Sequence, residues 1–111
     1  MSDLDAEDAK LVTLARGARG RIGAPTGAAL RDETGRTYSS ADVALPSVRI
    51  SALVLVVAQA AASGARGIEA AVIVGGTPSD DDVLAVRDLG GVDVPVIVCA
   101  PDGSVTDRVR T

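Results

Sequence analysis

The chain has 111 residues, 47% of them hydrophobic and 23% charged, and its 11 basic and 15 acidic side chains leave a formal charge of -4. These values fit one soluble globular domain over residues 1–111, able to bury roughly two-thirds of its unfolded surface in a core. A single Cys excludes an internal disulfide, the acidic opening MSDLDAEDAK is unlike a secretory signal, and the acidic balance disfavours a nucleic-acid surface, so a cytoplasmic protein is expected.

Ser2 followed by Asp5 is a capping start. Leu4, Leu11, Leu14, Ala15, Ala18 and Ile22 then recur at helical spacing, which predicts an amphipathic helix ending among Gly17, Gly20 and Gly23, ahead of Pro25. GAALRDETGRTYSS reads as a β-hairpin with strands Gly27 to Arg31 and Arg36 to Ser40, joined by a turn in which Gly35 takes positive φ. Val48 to Ser63 is an apolar run rich in β-branched residues, which periodicity alone leaves open between helix and strand. Its length and Ala-rich end favour a helix stopping at Gly64, and the longest uncharged run here, Ile50 to Ala65, falls short of the about 20 apolar residues of a membrane span.

Glu69 to Val74 is nearly continuously apolar, as a strand buried on both faces would be. A third helix starts near Thr77-Pro78-Ser79-Asp80, with Ser79 or Asp80 as cap and Val83, Leu84, Val86 and Leu89 inward. Val94 to Cys99 is a further buried strand, and Pro101-Asp102-Gly103 turns the chain into a last strand through Val105. Alternating helices and strands imply parallel pairs covered on both faces, hence an α/β fold: a three-layer α/β/α domain with a mixed sheet of about five strands.

For chemistry, the absences decide most. There is no His, Trp or Phe, Tyr38 is the only aromatic residue and Cys99 the only thiol. No Ser/His or Cys/His triad can be assembled, nor can the usual zinc site, and bases have no aromatic platform to stack on. Cys99 lies within an apolar strand, where a thiol acts as a small hydrophobe. Asp80, Asp81 and Asp82 complement the dipole of the helix they open, unless further oxygen ligands make them a cation site. Gly75-Gly76-Thr77-Pro78 lacks a phosphate-binding pattern and reads as a strand-to-helix connection. Asp42 and Ser51 either line a pocket or cap the second helix and solvate a loop. That helix is apolar all round, with Ile50, Leu53, Val54 and Val57 on one face and Leu55, Val56 and Ala60 to Ala62 on the others, so a partner is expected to cover it.

GAALRDETGRTYSSADVA, ISALVLVVAQAAASGARGIEAAVIV and VPVIVCAPDG together resemble the cytidine deaminase family over nearly the whole chain. The family's C-A-E motif falls on Ser51, Ala52 and Leu53. The cysteines of its P-C-x-x-C motif fall on Asp80 and Val83, give or take one position, and its N-V-E loop falls on Asp42, Val43 and Ala44. In that family three Cys or His ligands hold a zinc whose water attacks C4 of the base, while a Glu moves the protons. The resemblance implies vestigial positions here, with ligands reading Ser51, Asp80 and Val83 and the proton shuttle reading Leu53. The expected protein is a catalytically inactive homologue with no catalytic residue, zinc or cofactor, serving as a structural or interaction subunit. A nucleoside-binding or other small-molecule-binding pseudoenzyme using Asp42 is one alternative, and an active zinc-dependent deaminase another. Because the family forms dimers and tetramers, the resemblance also implies a homo-oligomer through the helix Val48 to Ser63, or a different protein partner.

Overall fold

In the computed structural model, which describes residues 4–111, helix α1 (Ala6–Ile22) begins where the Asp5 carboxylate accepts a hydrogen bond from the Asp8 N–H at 2.8 Å. It ends at Gly23, whose φ of 63° lies in the left-handed region. The other expected capping residue, Ser2, lies outside the described residues. Strands β1 (Gly27–Asp32) and β2 (Thr37–Ala41) form the expected antiparallel hairpin, with Gly35 at φ 88° in its turn.

Asp32 organises that turn. Its buried carboxylate accepts hydrogen bonds from the Thr34 N–H and hydroxyl, the Arg36 N–H and the Tyr38 hydroxyl, at 2.7–3.0 Å. Burial alone would raise the carboxyl pKa, but these donors outweigh it and hold the group below its ordinary value of 3.8.

A second, smaller hairpin follows, built from β3 (Val43–Leu45) and β4 (Val48–Ile50) and turning at Pro46-Ser47. It corrects the helix expected over Val48 to Ser63. Val48 and Ile50 pair with Leu45 and Val43, a setting that suits their β-branched side chains. Ser51 is extended, and the helix that follows, α2 (Ala52–Ala62), is correspondingly shorter. Gly64 ends it as expected, at φ 95°. The Gly64 N–H bonds the Ala61 carbonyl and the Ala65 N–H the Ala60 carbonyl, the paired bonds of a left-handed helix cap.

The remaining elements are β5 (Ile68–Val74), α3 (Asp80–Gly90), β6 (Pro95–Cys99) and β7 (Val105–Arg110). The main sheet is five-stranded, in the order β2-β1-β5-β6-β7. It is mixed, as expected, but only β5 and β6 run parallel: β1 lies antiparallel to β5, and β7 returns antiparallel along β6.

Side-chain alternation along the strands divides the core between two faces. Ala28, Leu30, Ile73, Val96 and Val98 meet Leu53, Val56 and Val57 of α2 and Val86 of α3. Ala29, Val72, Val74, Ile97 and Cys99 meet Leu11, Val12 and Ala15 of α1 on the other face. The result is an α/β/α stack.

Two inward positions expected in α3 shift. Leu84 is 54% exposed and Val83 half-buried, while Val86 is fully buried, because a helix capped by Ser79 turns Asp82, Ala85 and Val86 toward the interior. Nor is α2 enclosed on all sides. Its large side chains face the sheet or lie half-buried at the flanks, and its outward positions are Ala58, Gln59, Ala61 and Ala62.

Gly27 shows how closely α1 lies on the sheet, since a Cβ there would fall 2.1 Å from the Ala15 carbonyl oxygen and 2.8 Å from the Arg19 Cβ. Gly27→Ala should therefore destabilise the protein by about 1–3 kcal/mol in urea unfolding, by lifting α1 off β1. Asp32 generates a pH prediction. Its folded carboxyl binds a proton less tightly than its unfolded one, so its stabilisation is complete above the ordinary value of 3.8 and is lost as pH falls through the depressed folded value. Asp32→Asn should lower the midpoint of thermal unfolding at pH 7, yet lose less stability than wild type as the pH drops below 3.8.

Candidate functional site

β5 ends at Val74, and residues 75–79 carry the chain directly into α3, so α3 begins at the carboxyl end of the central parallel strand pair. This edge is where open α/β sheets place their sites. The start of α2 lies beside it. Ser51 caps α2 by accepting the Val54 N–H at 3.3 Å, and its hydroxyl donates to Asp82 Oδ1 of α3 at 2.5 Å. Asp82 Oδ2 accepts the Ser79 N–H at 2.9 Å, while the Asp82 N–H donates back to Ser79 Oγ at 3.1 Å, forming a capping box. Asp82 is only 5% exposed. Both oxygens of this buried carboxylate are thus engaged, one with each helix start.

Asp42 stands on the other side of the α2 start. Its carboxylate accepts the Ala52 N–H, the Thr26 N–H and the Thr26 hydroxyl, each at 2.8 Å. It satisfies a helix-start N–H left over by the helix's own bonding and ties α2 to the chain just ahead of β1. Of the two sequence readings of Asp42 and Ser51, the geometry gives both residues capping contacts, and it also places Asp42 in the lining of a cavity of about 250 Å³ with Ser40, Leu55 and Gln59. Ser40, on β2, adds a buried hydroxyl donated to the Ala52 carbonyl at 2.7 Å.

Leu53 is the second residue of α2, fully buried among the apolar side chains beneath the junction. Asp80 is exposed at the first turn of α3 and Val83 is half-buried; the residues hydrogen-bonded around Ser51 are instead Asp82 and, through it, Ser79. Ala44 is exposed on β3. Cys99 is buried on the α1 face, where burial pushes its thiol pKa up, Asp102 adds to the rise and Arg108 opposes it. A shallow apolar groove of about 310 Å³ runs between α2 and α3 over Val54, Val57, Ala61, Ala85 and Leu89. Among the described residues, no three His, Cys, Asp or Glu side chains gather closely enough to hold a metal ion, and no helix is long and apolar enough to cross a membrane.

A mixed sheet of this order, with two helices starting at the carboxyl end of its parallel pair, defines the class: a three-layer α/β/α protein. Residues 4–103 match the family described as Cytidine deaminase-like, and the chain belongs to that family. No curated protein matches it significantly.

Among solved structures, the fold is similar to cytidine deaminase from Burkholderia pseudomallei, at 22% identity and a TM-score of 0.78, covering 100% of this chain and 92% of that one. It is also similar to cytidine deaminase from Mycobacterium leprae, at 20% identity and a TM-score of 0.74, covering 92% and 93% of the two chains. The Mycobacterium tuberculosis enzyme matches at 22% identity and 0.72, over 83% of this chain and 85% of that one. At these identities the likeness is one of fold.

The pairing of Ser51 with Asp82 had a signal in the sequence. Pro78-Ser79-Asp80-Asp81-Asp82 has the spacing of P-C-x-x-C, with Ser79 and Asp82 on its cysteine positions, one residue ahead of Asp80 and Val83.

Because three hydrogen bonds converge on a charged acceptor at the α2 start, Asp42→Ala should cost about 2–4 kcal/mol in urea unfolding. Asp42→Asn, which keeps one acceptor oxygen, should cost clearly less. Equal losses would show that the acceptor bonds to Thr26 and Ala52 are not what Asp42 contributes.

Proposed function

We propose that this chain is a catalytically silent member of the cytidine deaminase-like family, retained as a structural or interaction subunit of an oligomer. The observation that carries the reading is the closed junction at the helix starts, where Ser51 donates to a buried Asp82 that is itself boxed with Ser79. On this reading Ser51, Ser79 and Asp82 stand at the family's metal-ligand positions, and Leu53 stands in place of its proton-transferring Glu.

The donor set does not fit the family's zinc. Tetrahedral zinc sites are built from thiolate, imidazole and carboxylate ligands, whereas this set offers two neutral hydroxyls and one carboxylate whose oxygens already accept hydrogen bonds. A water not activated by zinc keeps a pKa far above the value of about 7 it has when bound to the ion, and the Leu53 side chain cannot move a proton. These side chains therefore supply neither the nucleophile nor the proton transfer that deamination requires.

The engagement of both Asp42 oxygens with Thr26 and Ala52 favours a structural role over nucleoside binding. The groove between α2 and α3 and the alanine surface of α2 supply an apolar face, which supports association through that helix. The partner expected first is a second copy of the chain.

Purified full-length protein given zinc and cytidine should form no uridine, and a millimolar panel of pyrimidine nucleosides should leave its unfolding midpoint unchanged. Light scattering after gel filtration should report a dimer or larger species at micromolar concentration. Uridine formation that a chelator abolishes would overturn the silent reading, a nucleoside-dependent rise would move it to ligand binding, and a clean monomer would remove the homo-oligomer.

A further inference from the structure

We infer that the Asp82 carboxylate replaces the family's zinc as the pin between α2 and α3, so that this fold holds its two helix starts together without a metal. The inference rests on the proposed reading in which Ser51, Ser79 and Asp82 occupy the metal-ligand positions. The geometry supplies its physical content. One oxygen of Asp82 takes the Ser51 hydroxyl at the cap of α2, and the other takes the Ser79 N–H at the cap of α3, so one side chain bridges two elements distant in sequence. The carboxylate is buried, where a hydrogen bond to a charged acceptor is stronger than one between neutral groups.

Charge supports the same assignment. Each helix start presents the positive end of a dipole, equivalent to about half an elementary charge, and two such ends brought together favour an anion between them. Three thiolates around a dication carry a net charge of minus one, and so does a single carboxylate. The substitution of Ser, Ser and Asp for three cysteines therefore removes the ion and keeps the charge that faces the helix ends. Hydroxyls at all three positions would have left that charge out.

A double-mutant cycle and a reversal experiment test this. Ser51→Ala and Asp82→Asn should each lower the unfolding midpoint by roughly 5–10 °C, and the double variant should lose clearly less than the two losses combined. The wild-type midpoint should be unchanged by EDTA. The triple variant Ser51→Cys, Ser79→Cys, Asp82→Cys should bind about one zinc per chain by mass spectrometry, and its midpoint should rise with zinc and fall again with EDTA. Additive losses in the cycle would overturn the inference, as would a triple variant that folds without holding zinc or stays unfolded in its presence. Deaminase turnover by wild type would defeat the silent reading on its own, without altering the cycle. Additivity would defeat the pin while leaving wild type inactive.

Discussion

The starts of α2 and α3 lie side by side at the carboxyl end of β5, and each arrives with backbone N–H groups that its own helix cannot satisfy. Each also carries the positive end of its dipole, so the junction needs acceptors and negative charge in a confined, half-buried space. Two aspartates meet that need. Asp42 takes the first N–H of α2, and Asp82 closes the α3 capping box while accepting the hydroxyl that caps α2. Much of the fold can be understood as delivering these two carboxylates to one place.

Asp42 is delivered by the β1–β2 hairpin. The register pairs Gly27 with Ala41, which sets Thr26 and Asp42 opposite one another just beyond the last pair and lets the carboxylate bind both donors of Thr26. At the far end of the same hairpin Asp32 gathers the turn around a single carboxylate, fixing the register from the other side. Asp82 is delivered by the central strand, whose direction places α3 next to the α2 start. The same strand is held against α1 through Val72 and Val74 and against α2 and α3 through Ala71 and Ile73. The helix junction is thus coupled to the hairpin on one side and to the core strand on the other.

Residues with a local job made much of this legible in the sequence. Gly35 in the first hairpin turn, Gly64 after α2 and the continuous apolar stretches of β5 and β6 each announce their element without reference to the rest of the chain. The sheet's five strands and its three layers follow from their order. The second hairpin was not legible because Val48 and Ile50 continue directly into the apolar α2, and Pro46-Ser47 lacks the Asn-Gly or Asp-Gly chemistry that marks a two-residue turn. Which aspartate of Asp80-Asp81-Asp82 faces inward was equally hidden. The answer depends on whether Ser79 or Asp80 caps the helix, and a shift of one residue turns the chain by about 100° around the helix axis. The tertiary partners of Asp42 and Asp82 come from elements far along the chain, so no local pattern names them.

On the proposed reading, architecture and chemistry separate at this junction. The chain shares its fold with cytidine deaminases at TM-scores of 0.72–0.78 while sharing only 20–22% of their residues. Such tolerance has a physical basis, because a layered fold requires apolar side chains of suitable size on two sheet faces, caps at helix ends and a glycine where α1 presses on β1. On the proposed reading, a metal in this family does two things at once: it activates water, and it ties together two helix starts. A sequence that abandons the first function still faces the second, since the exposed N–H groups and converging dipoles remain when the ion is gone. Simple loss of the ligands would leave that junction open, and a solvent-filled gap there would loosen α2 from the sheet it covers. A carboxylate at the third helix position of α3, accepting the Ser51 hydroxyl at the cap of α2 and the Ser79 N–H at the cap of α3, closes the gap with groups the backbone already orients. On that same reading, loss of the chemistry and survival of the fold are linked through one substitution pattern, and the residue that distinguishes a dismantled metal site from a rebuilt one is Asp82.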